Sequence, residues 1–494
     1  MGDEMLLLFL TVLLVSEFGA GLRRHGHHGL LLPPPNVHNY PVPPDQWFTQ
    51  KLDHSQPSDL RTWQQRYFTN DTFYRPGGPV FLMIGGEGTA SPVWMVTGSW
   101  IEYAEEHGAL CFQLEHRFYG KSHPTEDMSV KNLRYLSSEQ ALADLATFSA
   151  AMEEKHALPE GTKWVAFGGS YPGSLAAWYR LKYPHMVHAA VSSSAPLVAK
   201  TNFYEFLEVV SDAVKAESGD TCYSNIAAAF TELEKQLADK KRWRPLGKLF
   251  RLCDPYAASD LNTSSLVSSL ADLFEGTVQY NRDNREFEGA KDANITVSTL
   301  CHLMSDGAGS PLDRLAAVNA ALMAVRGDKC LDYTYKSEMD KMRQESFDSP
   351  DNTGMRQWIY QTCNEFGWYQ TSDAEGQPFG HRFPLTFSVQ QCMDAYGTKF
   401  NQSFIDAAVA ATNVRYGGRG IRVRRVVFIN GSIDPWHAMG LTATRSRHAP
   451  VIYVNGTAHC ANMYPSRDED LPELKAARRR IGRLIARWLQ EDDQ

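Results

Sequence analysis

The chain has no C-x-x-C pair, no long membrane-type apolar run, no large block of one charge and no internal repeat. Each absence excludes something. Without C-x-x-C pairs, zinc-ribbon and thioredoxin-type chemistry lack their ligands at the required spacing. The most apolar run, Leu6 to Val15 with only Thr11 breaking it, covers ten residues, and a spanning helix needs about twenty. A net charge of −8 is spread over 494 residues, with neither a basic block for nucleic acid nor an acidic tail. Gly85-Gly86-Glu87-Gly88 could open a phosphate-binding loop, but no G-x-G-x-x-G and no P-loop lysine follows. No cofactor, metal or nucleic-acid partner is expected.

What is present fits a globular chain of two or three domains, with 43% hydrophobic and 21% charged residues. Residues 1–21 read as a signal peptide: the apolar run forms the h-region and Gly19-Ala20-Gly21 offers a small-residue cleavage site. Asp3 and Glu4 give it an unusual negative n-region, and a buried N-terminal helix is the alternative. Residues 22–45 read as a propeptide or linker. Their histidines, His25, His27 and His28, could bind metal, but the surrounding prolines favour a loose tract. Six of the eight cysteines fall between 222 and 392, a clustering that suggests a disulfide-braced region in a secretory-pathway protein. Sequons at Asn70, Asn262, Asn294 and Asn401 are candidate glycosylation sites; two more, Asn430 and Asn455, sit at expected strand ends.

Strand-type runs at Pro79–Ile84, Ala109–Leu114, Trp164–Phe167 and Val187–Ser192 alternate with helical patterns such as Glu139–Glu154. That alternation predicts a parallel sheet covered on both faces. Residues 201–395 read as helices and loops, and strands resume at Val426–Ile429 and Val451–Val454. The expected organisation is therefore a sheet domain in two parts, 46–200 and 396–494, with a helical cap inserted between them. The last helix carries one apolar stripe, Leu474, Ile481, Leu484, Ile485 and Trp488. It is expected to dock on the sheet, with its arginines Arg478, Arg479, Arg480 and Arg487 solvated.

The chemistry is concentrated at three strand ends. Gly168-Gly169-Ser170-Tyr171-Pro172-Gly173 lies between a strand and a helix, the setting of a nucleophile elbow. Pro172 replaces the second glycine of G-x-S-x-G, at a position early in a helix where proline is tolerated. A serine nucleophile needs a histidine to take its proton and a carboxylate to orient that histidine. Asp434 follows Val426–Ile429, and His459 follows Val451–Val454, so Ser170, Asp434 and His459 occur in the order an α/β-hydrolase requires. Asp434 could instead be a turn former before Pro435, and His437 is a rival base that falls too soon to sit on the next strand. Oxyanion donors are expected from Tyr171 and from the glycine loop at Gly86. Glu87 could meet a substrate's amino terminus or pair with a neighbouring arginine.

These segments resemble the prolyl carboxypeptidase and dipeptidyl peptidase II family of serine peptidases, and most nearly its thymus-specific serine protease branch. The resemblance runs from Trp47 to the C-terminus. It rests on Leu52-Asp53-His54, Arg61-Thr62-Trp63-Gln64-Gln65-Arg66-Tyr67, the Gly85–Gly88 loop, Glu115-His116-Arg117-Phe118-Tyr119-Gly120, the elbow, Asp434-Pro435-Trp436 and Ala458-His459-Cys460. It implies an α/β-hydrolase fold with a large, mostly helical cap inserted between nucleophile and acid, and the triad Ser170, His459 and Asp434. It also implies an exopeptidase that hydrolyses peptide substrates beside proline, with Trp436 lining the proline pocket. Ser174 differs from the bulkier methionine of the prolyl carboxypeptidase branch, which implies a wider pocket and puts the proline preference in question. The implied disulfides are Cys222–Cys301, Cys253–Cys330 and Cys363–Cys392, leaving Cys111 and Cys460 free. Cys460 could alternatively be a nucleophile, but no elbow surrounds it. A catalytically silent peptide-binding protein and an esterase are the alternative functions. The expected compartment is the secretory pathway, secreted or endosomal–lysosomal. Homodimer formation is left open.

Overall fold

The computed structural model describes residues 40–282, 295–306, 308–444 and 446–491. The signal-peptide expectation, most of the 22–45 tract and the sequon at Asn294 lie outside the described residues.

The strands are β1 (Gln46–Lys51), β2 (Thr62–Asn70), β3 (Val80–Ile84), β4 (Leu110–Leu114), β5 (Trp164–Gly169), β6 (Ala189–Ser193), β7 (Lys200–Asn202), β8 (Gly367–Tyr369), β9 (Val426–Gly431) and β10 (Val451–Val454). Eight of them form one sheet in the order β1-β2-β4-β3-β5-β6-β9-β10. From β4 to β10 every pairing is parallel, while β1 and β2 add an antiparallel edge. This is the α/β-hydrolase fold. The antiparallel edge, Gln46–Asn70, was not among the expected strands. Its sequence places glutamines, among them buried Gln50 and Gln65, where apolar residues would be expected, which hides the alternation a half-buried strand normally shows.

The strands read as continuous apolar runs because both faces are covered. Val80, Leu82 and Ile84 enter one core with the helices Ser138–Lys155 and Tyr171–Lys182. Phe81 and Met83 enter the other, against Ser99–His107 and the last helix, Pro472–Gln490. That last helix docks through Leu474, Ile481, Leu484, Ile485 and Trp488 as expected. Arg478 corrects the expectation of solvated arginines: it is buried and ion-paired with buried Asp470.

Between β6 and β9 the chain is mostly helical, with Glu205–Leu237, Asp260–Gln279, Val297–Asp306 and Pro311–Arg326 packing together. Within it, β7 and β8 form a small parallel pair. Disulfides Cys222–Cys301, Cys253–Cys330 and Cys363–Cys392 are formed, and Cys111 and Cys460 are free and buried. Asn401 is exposed, whereas Asn430 is buried and donates to the Leu441 carbonyl at 2.9 Å.

Candidate active site

Ser170 stands between β5 and the helix Tyr171–Lys182 with φ 62° and ψ −133°. A non-glycine residue in that conformation is strained, and the surrounding contacts hold it there. The Ser170 N–H donates to the Ser193 carbonyl at the end of β6 (2.9 Å). At Gly168 a Cβ would lie 2.1 Å from the Pro172 carbonyl oxygen, so only glycine lets the strand turn this tightly into the helix. The same holds at Gly86, where a Cβ would lie 2.3 Å from the Pro172 ring. The glycine loop after β3 therefore rests directly on the first turn of the elbow helix, bringing Gly86 and Tyr171 to one place.

Asp434 and His459 leave the ends of β9 and β10 and meet. His459 Nδ1 and Asp434 Oδ1 are 2.8 Å apart, and both side chains are fully buried. Asp434 also accepts the Trp436 N–H at 3.0 Å, which fixes the carboxylate's orientation. Burial disfavours the imidazolium, but the Asp434 charge outweighs it and raises the basicity of His459.

The histidine loop is tied to the elbow through the end of β6. The Cys460 N–H donates to Ser194 Oγ (2.8 Å) and Asn462 Nδ2 to Ser193 Oγ (2.9 Å). Behind it, Arg478 donates to the carbonyls of Ala461 (2.9 Å) and Asn462 (3.3 Å). In front, the helical region reaches in through Gln279. Its carbonyl accepts the His459 N–H (2.9 Å), and its side chain accepts the Trp436 indole N–H (3.1 Å). Ser193, Ser194, Gln279 and Arg478 belong to no motif, and nothing in the sequence marks them. Their contacts span segments far apart in the chain.

The other expected site residues fall in three environments. Trp436 packs edge-on against Trp368 and lines a cavity of about 160 Å³ with Trp358, Ile359, Met355 and Phe387. Glu87 is buried, and no hydrogen bond to its Oε1 occurs among the described residues. Among the described residues no arginine is hydrogen-bonded to it. Burial pushes its carboxyl group up to about 8, against a smaller opposing pull from its own backbone N–H and from His459. It lines a small cavity of about 50 Å³ with Gln113 and Pro172. Ser174 is buried and donates to the Pro196 carbonyl (2.7 Å), and it is not among the residues lining the Trp436 cavity.

Several segments that carried the resemblance are supports rather than reacting groups. Buried Glu115 pairs with Arg66, accepts the Ala90 N–H beyond the glycine loop (3.0 Å) and takes the Ser122 hydroxyl (2.7 Å). Arg117 and His54 converge on buried Asp144, at 2.6 and 2.8 Å. The Tyr171 hydroxyl is held between His116 and Gln361, each at 3.0 Å.

The family described as "Serine carboxypeptidase S28" matches this chain over residues 50–481. The mouse thymus-specific serine protease is 36% identical over 463 residues, covering 91% of this chain and 88% of that protein. Its human counterpart is 34% identical over 459 residues, covering 91% and 87%. The human lysosomal Pro-X carboxypeptidase is 27% identical over 456 residues, covering 90% and 88%. With its α/β-hydrolase sheet and a match that takes in all three strand ends described above, the chain belongs to the serine carboxypeptidase S28 family of serine-type peptidases.

Proposed function

We propose that Ser170, His459 and Asp434 act as a catalytic triad in a serine exopeptidase that cuts short peptides through an acyl-enzyme. The observation that carries this reading is the buried 2.8 Å bond between His459 and Asp434 on loops tied to the Ser170 turn. In this reading His459 Nδ1–H is fixed by Asp434, leaving Nε2 to accept the Ser170 proton as Oγ attacks the carbonyl carbon. The tetrahedral oxyanion takes hydrogen bonds from the N–H groups of Tyr171 and Gly86. His459 then returns the proton to the departing amine, and water releases the acyl group by the same steps in reverse order.

The cavity beside Trp436, where Trp358, Trp368 and Phe387 form one side and Asp272, Glu275 and Glu338 share the lining, supports a pocket with an apolar wall for a ring-bearing residue next to the cut bond, as the name of the Pro-X carboxypeptidase relative would suggest. Glu87, in the oxyanion loop and with no arginine hydrogen-bonded to it among the described residues, is the group suited to a substrate's amino terminus, whose positive charge would draw off the proton that burial otherwise retains. The relatives and the disulfides support a secretory-pathway, secreted or lysosomal setting.

The test is fluorophosphonate labelling of wild type and Ser170→Ala, with mass-spectrometric mapping of cuts in a proline-containing peptide library. Wild type should label and cut near peptide ends, and the variant should fold but do neither. Labelling that persists in the variant would overturn the triad. Ester turnover without peptide turnover would favour the esterase reading.

A further inference from the structure

Away from the active-site loops, the chain forms a groove of about 730 Å³ beside the start of β9. Asp434 follows the far end of that strand, so the groove lies at the opposite edge of the sheet. Its rim carries exposed Arg419, Arg422, Arg424 and His448, buried Arg180 lies against its wall, and among the described residues no aspartate or glutamate lines it. Ile421, Val423 and Phe428 supply an apolar floor.

The local chain sets this geometry. Between the helix ending at Tyr416 and β9, exposed Arg422 and Arg424 alternate with half-buried Ile421 and Val423. Alternation in an extended segment places the two guanidinium groups on one side, about 7 Å apart along the chain. Exposed Arg419 is steadied by donating to the carbonyls of Gly440 and Ala438, contacts that leave its charge in place. Arg180 donates to the Arg424 carbonyl (3.1 Å), joining the elbow helix's far end to this segment. A chain of net charge −8 thus gathers cations in one concave place. Such a field repels itself and attracts an anionic partner.

We propose that this groove binds a sulfated glycosaminoglycan chain. Guanidinium forks suit the oxygens of fixed sulfate groups, and the apolar floor suits the C–H faces of the sugar rings. A concave groove fits a strand of saccharide better than a flat anionic bilayer. Among the described residues no exposed aromatic platform lines it for nucleobases. Sulfated glycans belong to the oxidising compartments in which the three disulfides form.

The experiment titrates the full chain with a heparin dodecasaccharide by calorimetry at about 150 mM salt, where exposed charges more than about 8 Å apart are screened. Wild type should bind, and more weakly as salt rises. The paired substitution Arg422→Ala with Arg424→Ala should weaken binding at least about tenfold, the scale of one lost charge-assisted contact. Lysine at both positions should restore part of it, and desulfated heparin should fail. Both arginines are exposed, so the unfolding midpoint should not move. If the double variant nevertheless unfolds, Arg419→Ala gives the same reading. No binding by wild type, equal binding by the variants, or binding only to phosphatidylserine vesicles or duplex DNA would each overturn the proposal.

Discussion

A single carboxyl group illustrates how far residue-level chemistry can be read here. Glu87 stands out in the sequence only as an acid in a glycine turn, and its burial is what gives it character. Its folded-state carboxyl is raised to about 8, so the folded protein holds that proton where the unfolded chain, near the ordinary 4.5, has lost it. Stability from this group is fully present below the unfolded value and is lost as pH climbs through the folded one. Glu87→Gln removes that loss. The unfolding midpoint of the variant, relative to wild type, should therefore rise between about pH 4.5 and about 8, as read by scanning calorimetry. A difference that is flat across this window would mean that Glu87 is ionised throughout. At the same scale, Ser170, Asp434 and His459 were legible because each follows a recognisable strand and turn. Arg478 was not, because an arginine on a helix looks solvated until the partner that buries it, Asp470, is in place.

At the scale of elements, the site depends on how closely a loop can approach a helix. The Gly85–Gly88 loop touches the elbow helix at Pro172 with no room for a Cβ. Gly86→Ala should push the loop away and misplace the N–H proposed as an oxyanion donor, while the sheet, whose strands end before it, stays intact. We expect kcat to fall about 10²-fold or more, the scale of losing one such donor, with the thermal midpoint lowered by the overpacking but the fold retained. Unaltered kcat in a folded variant would remove Gly86 from the oxyanion site. The turn glycines were visible in the sequence, but the contact with Pro172 was not. The missing second glycine of the motif proves to be the surface on which the loop rests. The β1–β2 edge was hidden for a different reason: its buried glutamines mask a strand period, and the pairing of β2 with β4 and of β1 with β2 orders them.

For the whole molecule, the helical region completes the site rather than merely covering it. Gln279 holds both His459 and Trp436, and Ser170 is only 2% exposed. Folded protein substrates should therefore be excluded. Short peptides should be hydrolysed while a folded protein carrying the same sequence in a surface loop is left intact, as judged by intact-mass spectrometry. Rapid cutting of the folded protein would show that the helical region moves aside. The glycan groove draws on two scales: Arg419, Arg422 and Arg424 are neighbours in sequence, and folding brings His448 and the apolar floor alongside them.

The amino-acid order alone determined the strand–turn–helix grammar of the sheet and the order of serine, aspartate and histidine along it. Those features depend on local periodicity and turn chemistry, which neighbouring residues set. Tertiary structure alone decided which backbone groups clamp the histidine loop, which carboxyl group loses its water, and what apolar floor lies beneath the arginines of 419–424. Burial and charge density are properties of surfaces in space, and distance along a chain does not encode them.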